Sequence, residues 1–283
     1  MTTVALLGAA GAMGTRIRTS LATLPNYEIH HVETPAGEAK LREAGIAPAA
    51  MADAAPVADV VVLAVRDDFI GEAAAQVVPL LRPGAIVITL DPAAPYAGEL
   101  PDRADVTYFV THPSHPPLFD IMAEETPEAR CDYWGGGIAR QALVNALIQG
   151  PEEHYAVAEQ VARDMFRPIS RSHRVTLHQM AMLEPALSET VTATCLTVIR
   201  EAMDESIRLG VPAEAARDFV LGHITVELAI IFDAIDWEFS MGAKKAIAAA
   251  KDELFRPDWR EVFSDARLKA SVANIVRRED DPA

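Results

Sequence analysis

Two histidines three residues apart, each followed by proline, lie in the segment Thr111-His112-Pro-Ser-His115-Pro-Pro117. Proline biases the residue before it toward an extended backbone, so neither imidazole rides on a helix. A cis bond at either proline would fix its direction further. Histidine is the side chain best suited to take a proton from a hydroxyl near neutral pH. The plainer alternative is a proline-stiffened loop whose histidines meet only solvent or backbone. Carboxylates form a second set. Glu184 and Glu189 stand in a stretch that is otherwise apolar or small: Met180, Ala181, Met182, Leu183, Ala186 and Leu187. In such surroundings a carboxylate faces a cleft or is paired. Glu189 shares a helix face with Thr192 and could hold a divalent cation together with His115. Glu184 would join them only through a kink at Pro185, and His178 is a weaker candidate. Salt bridges to Arg171, Arg174 or Arg200 would explain both glutamates equally well. The candidate cations for a substrate carboxylate are Arg171, Arg174, Lys244 and Lys245.

A second motif stands at the start of the chain. Residues 4–7 read as a buried strand, Gly8-Ala-Ala-Gly11-Ala12-Met13-Gly14 follows, and a helical pattern begins at Thr15. Strand, glycine turn and helix N-terminus make a cradle for a pyrophosphate, carried by Gly8, Gly11, Ala12, Met13 and Gly14. Residues 27–32 supply the next strand, and Glu33 at its tip lies about twenty residues beyond Gly14, the spacing of an acid that holds a ribose. A carboxylate there repels a 2′-phosphate and selects NAD over NADP. Val65 and Arg66, after the third strand, would flank the adenosine. The bland alternative is a flexible glycine loop with a surface charge at position 33. With a nicotinamide in place, His112 or His115 would remove a hydroxyl proton as hydride leaves the carbon.

These residues need a scaffold, and the pattern provides one. Residues 58–65, 85–90, 106–110, 139–148 and 168–175 read as further strands, and 71–81 and 151–166 as helices. Near-continuous apolar runs alternating with helices predict an α/β fold with a doubly wound parallel sheet, a Rossmann domain. From Thr176 the texture becomes helical: 177–209 interrupted only at Pro185, then 213–232, 242–254 and 264–277, with a frayed tail over 277–283. The boundary falls near 173–176, giving an NAD-binding domain over 1–174 and an all-helical substrate and dimerisation domain over 175–283. A long, largely uncharged helix leaves too much apolar surface for a monomer, which predicts a homodimer.

Composition narrows the field. The 283 residues are 50% hydrophobic, enough for a proper core. No run of eighteen apolar residues and no signal-peptide pattern is present, so neither a membrane span nor secretion is expected. Two cysteines, Cys131 and Cys195, make no disulfide framework or thiolate metal site and fit a cytoplasmic home. A net charge of −16 argues against nucleic acid.

A Rossmann domain followed by a helical domain built on one long helix resembles the 6-phosphogluconate dehydrogenase-like superfamily, which includes the β-hydroxyacid dehydrogenases. Three stretches carry a closer resemblance: His112-Pro-Ser-His-Pro-Pro-Leu-Phe119, Leu147-Ile-Gln-Gly-Pro-Glu-Glu-His154, and Lys244 through Phe255-Arg-Pro-Asp-Trp259. Together they are similar to the D-apionate oxidoisomerase family over nearly the whole chain. The resemblance implies NAD-dependent oxidation of a small anionic branched sugar acid at C2, followed by an α-ketol rearrangement to 3-oxo-isoapionate. On that reading His112, His115 and Glu184 are the catalytic candidates, and a divalent ion on His115 and Glu189 would polarise the oxygens. Two rivals stand beside it: a β-hydroxyacid or prephenate-type dehydrogenase using NAD or NADP without rearrangement, and a non-catalytic NAD sensor or scaffold.

Overall fold

Successive residues of a strand point to opposite faces, and here both sets are apolar. The computed structural model describes residues 1–119 and 126–278. Among them, β1 (Thr2–Leu7), β2 (Tyr27–Val32), β3 (Val60–Leu63), β4 (Ile86–Thr89), β5 (Thr107–Pro113), β6 (Gln141–Gln149) and β7 (Ile169–Arg174) form one sheet, in the order β2-β1-β3-β4-β5-β6-β7. The accompanying helices are α1 (Ala12–Leu21), α2 (Pro35–Glu43), α3 (Met51–Ala54), α4 (Ile70–Val77), α5 (Ala93–Ala97) and α6 (Glu153–Met165). Val4, Leu6, Val60, Val62, Ile88 and Phe109 pack with Ile17 and Leu21 of α1 and Val161 and Met165 of α6. Ala5, Leu7, Val61, Leu63, Val87 and Tyr108 pack on the other side with Ile70, Ala74 and Val77 of α4. The doubly wound Rossmann architecture is present.

Three details differ from the sequence expectation. The helix after the glycine turn begins at Ala12 with Gly11 as its N-cap, three residues before Thr15. β5 continues through Pro113, so His112 lies within the strand, opposite Val144 of β6. β6 runs antiparallel to β5, and β7 is parallel to β6. No crossover helix separates β5 from β6 among the described residues, so the chain returns along the edge it has just left. The pairings from β2 to β5 are all parallel, and the one antiparallel pairing among the described strands is that of β5 with β6.

The helical region opens on a capping box. Thr176 Oγ1 accepts from Gln179 N at 3.1 Å while Gln179 Oε1 accepts from Thr176 N at 2.9 Å, which starts α7 (Leu177–Ala181). A π-helical segment, Met182–Ala193, follows in place of the expected α-helix broken at Pro185. Proline cannot donate to the ladder, and the wider turn accommodates it. Five-residue reaches complete it: Thr190 Oγ1 donates to Pro185 O at 2.7 Å and Thr192 Oγ1 to Leu187 O at 2.9 Å. Beyond it come α8 (Thr194–Arg208), α9 (Ala213–Ile231), α10 (Met241–Leu254) and α11 (Asp265–Ile275).

Two compact units emerge, one of Met1–Glu184 with the segment from Lys269 onward, the other of Pro185–Leu268. The first thus includes α7, because Met180 packs with Val110 and Ala146 of the sheet. It also includes the start of the expected tail. Arg278 pairs with Glu72 and lies over the Phe69 ring at 4.2 Å, while the rest of that tail lies outside the described residues. In the second unit α8 packs on α9, yet Phe219, Ile231 and Trp237 remain largely exposed. No helix among the described residues is long and apolar enough to cross a membrane.

Candidate active site

The glycine turn is shaped so that only glycine fits. Gly8 has φ +79°, and a Cβ there would lie 2.3 Å from the carbonyl oxygen of Ala64. A Cβ on Gly14 would lie 2.0 Å from Gly8 O. The close packing brings the first turn of α1 onto the end of β1, with Gly11 and Ala12 exposed at its tip. First-turn N–H groups lack intrahelical partners and suit an anion, so the cradle fits a dinucleotide pyrophosphate. Glu33 reaches across this turn. Its Oε1 accepts from Ala10 N at 2.6 Å and its Oε2 from Thr34 N at 3.0 Å. The carboxylate is thereby held at the lip of the cradle, on the β2 side expected for a ribose. Val65 packs against the core of the second face. Arg66 is exposed, paired with Asp68 and lying over the Phe69 ring at 5.1 Å.

Both histidines are oriented by backbone carbonyls. His112 Nδ1 lies 2.9 Å from Leu90 O at the end of β4, and His115 Nδ1 lies 3.1 Å from Trp134 O. A carbonyl only accepts, so in each ring Nδ1 carries the hydrogen. When neutral, each imidazole then presents its lone pair at Nε2. The rings meet edge to face with centroids 6.4 Å apart, close enough for one small molecule to touch both. Desolvation pushes the His112 pKa below its usual 6.5, against the Leu90 carbonyl and with help from His115. His112 is therefore neutral at physiological pH. His115 adopts φ +59°, an uncommon backbone for a residue with a Cβ, and its ring lies 5.1 Å from that of Trp134. Both His–Pro bonds are trans; the cis bond among the described residues is Arg167–Pro168.

The loop that carries Trp134 is internally braced. Asp132 Oδ2 accepts from Ile138 N and Ala139 N, each at 3.0 Å, and Oδ1 from Gly136 N. Burial opposes the Asp132 charge, but these N–H groups hold its carboxyl below the usual range. The triple glycine 135–137 suggests only flexibility when read as sequence. In the fold it is a fixed turn that aims a carbonyl at His115.

Glu184 is half-buried at the start of the π segment, whereas Glu189 is exposed and belongs to the second unit. Neither is without a partner, nor is Arg171. No group of three or more His, Cys, Asp or Glu side chains gathers as a metal site among the described residues. Arg174 is taken by Glu152 and lies over Tyr155 at 4.2 Å, and Lys244 is held by Glu238 at 2.6 Å. A pair that sequence reading missed joins α5 to α7: Tyr96 Oη and His178 Nδ1 lie 2.9 Å apart. His154 makes a structural contact, 2.7 Å from Thr107 Oγ1.

Comparison with known proteins adds independent findings. Residues 122–276 match the family described as phosphogluconate dehydrogenase (decarboxylating), C-terminal part. The chain is 50% identical to a D-apionate oxidoisomerase of Cupriavidus necator, over 96% of its own length and 99% of that protein's. It is 47% identical to another protein of that name from Rhizobium rhizogenes, over 98% and 100%. A crystal structure from Cupriavidus necator, described as a semialdehyde dehydrogenase NAD-binding protein in complex with calcium and NAD, superposes with a TM-score of 0.92. Its identity is 49%, covering 97% of this chain and 99% of that one.

Proposed function

The chain belongs to the D-apionate oxidoisomerase family, and on that premise we propose that it oxidises D-apionate with NAD and rearranges the product to 3-oxo-isoapionate. The observation that carries the reading is the pair of imidazoles, both held through Nδ1 by carbonyls at one edge of the sheet.

Bound NAD would supply the hydride acceptor. His112, kept neutral by burial, takes the proton of the C2 hydroxyl as the C2–H bond breaks, leaving a ketone beside the C3 hydroxyl. The imidazolium so formed donates to the new C2 oxygen and polarises its carbon. His115 then takes the C3 hydroxyl proton, and the hydroxymethyl group migrates with its bonding pair from C3 to C2. C3 becomes the ketone, and the C2 oxygen recovers its proton from His112. His115, the more open of the two, releases one proton to solvent, the proton that accompanies NAD reduction. Glu184 is proposed as a carboxylic acid assisting polarisation.

A divalent ion on His115 and Glu189 would need more donors than this pair, and calcium in particular prefers six to eight oxygens. The residues described do not form that set, so no step here passes through a metal. The homodimer is supported by the exposed apolar side chains of the second unit. Cytoplasmic residence is supported by two cysteines that are both free.

The test is NADH formation, at roughly 340 nm, with D-apionate and NAD, and product identification by carbon NMR. NADH with 3-oxo-isoapionate is expected. An unrearranged or decarboxylated ketone would leave a plain dehydrogenase, and no NADH from D-apionate would overturn the reading. Chelator that stops rearrangement but not NADH formation would assign a metal to the second step.

A further inference from the structure

We infer that Arg16 is a positioning residue for His115, acting through the carbonyl oxygen of Trp134. By this route the helix that forms the dinucleotide cradle also aims the second imidazole. The inference rests on the proton-transfer role proposed above for His115. Trp134 O accepts from Arg16 Nη1 at 3.2 Å and from His115 Nδ1 at 3.1 Å, so its two lone pairs join the two side chains. Arg16 lies on α1, two residues after Gly14, with its guanidinium over the Phe166 ring at 5.0 Å. It is an expensive place for a cation. Desolvation draws its pKa down to about 10 in spite of Asp132, and Nη2 is buried with no hydrogen-bond partner in the protein. Taking a charge out of water is costly, and its contacts in the protein often repay that cost only in part. A role in stability alone therefore gives little reason for an arginine here. The geometry it serves is demanding, because His115 holds a left-handed backbone that a residue with a Cβ keeps only when its surroundings fix it. The fixing contacts are the Trp134 carbonyl and the Trp134 ring. Gly135, at φ +76°, keeps the slot open. A Cβ there would lie 3.0 Å from Arg16 Nη2 and 2.8 Å from Gln141 Oε1.

The experiment compares Arg16→Met, Arg16→Lys and His115→Ala, singly and with Arg16→Met combined with His115→Ala, in the full chain loaded with NAD. Imidazole nitrogen NMR reports the His115 tautomer, and turnover of D-apionate reports kcat and KM. Arg16→Met is expected to lower kcat about tenfold with KM and NAD affinity within about twofold, the signature of a misaimed catalytic group. The His115 signals should change from a single Nδ1–H tautomer to a mixture. Lysine, which keeps a donor toward Trp134 O, should recover most of the loss. In the His115→Ala background, Arg16→Met should cost nothing further. A full additional loss in that background, or an unchanged His115 tautomer in Arg16→Met, would overturn the inference. If His115→Ala alone yields rearranged product at the normal rate, the role proposed for His115 fails, while the tautomer signal still decides the positioning. Should Arg16→Met not fold, Gly135→Ala disturbs the same contact and must give the same tautomer change; unchanged signals there would equally overturn it.

Discussion

The two compact units bury their apolar residues in different ways. In the first, all four residues of β3, Val60–Leu63, are 0% exposed, because helices cover both faces of the sheet. In the second, Phe219 is 68% and Trp237 69% exposed, although the helices that carry or flank them are regular. The first unit completes its own core and can therefore hold a rigid edge on which carbonyls aim imidazoles. The second forms its helices locally and leaves large apolar side chains exposed. Chemistry that needs positions fixed within fractions of an ångström belongs to the first kind of scaffold. Exposed apolar side chains of the second kind suit association, the role proposed for that unit.

That contrast can be broken most severely at the cradle. In Gly14→Ala the new Cβ would meet backbone, Gly8 O at 2.0 Å, which no rotamer relieves. NAD affinity, measured by fluorescence of bound NADH, should fall by about a hundredfold or more, because the helix N-terminus can no longer approach the pyrophosphate. Normal affinity would show that the turn is not the cradle. The second unit should respond differently. Phe219→Asp should weaken self-association by about 2 kcal/mol or more, as loss of a central aromatic does. Light scattering would then show monomer, while NAD affinity stays unchanged. A particle mass unaffected by the substitution would remove the proposed role of this face.

The smallest expected effect concerns pH. As the proposed base His112 must be neutral to act, and burial holds its pKa below the usual 6.5. The rate should hold through neutral pH and fall only as pH drops through that lowered value, giving an acid limb in kcat/KM with its midpoint below 6.5. A midpoint above it would mean that His112 is charged or is not the base.

Much of the first unit can be read directly from its residues. Gly8, Gly11 and Gly14, the apolar strands and Glu33 each follow local rules, and β1, the glycine turn, α1 and β2 follow one another in the expected order. The reversal of β6 is not legible in this way, because the pattern of residues 139–148 is the same for a strand running in either direction. The π segment escaped for a related reason: a proline in a helical pattern signals a break, and only the later hydroxyls of Thr190 and Thr192 show how the break is bridged. The two histidines are visible as types and spacing, but their tautomers depend on Leu90 O and Trp134 O. Backbone acceptors leave no mark on side-chain identity. Trp134 and Arg16, more than a hundred residues apart, are brought together only by the packing of α1 against the loop before β6.

The most direct test of the divided roles of His112 and His115 is a single turnover in a rapid-mixing instrument, with excess enzyme, NAD and D-apionate, comparing His112→Ala and His115→Ala with the unaltered protein. The account predicts that His112→Ala loses NADH formation by about a hundredfold or more. His115→Ala should form NADH at nearly the normal rate and accumulate the unrearranged 2-ketone. NADH formation in His112→Ala within about threefold of normal, or His115→Ala yielding fully rearranged product at the normal rate, would contradict it.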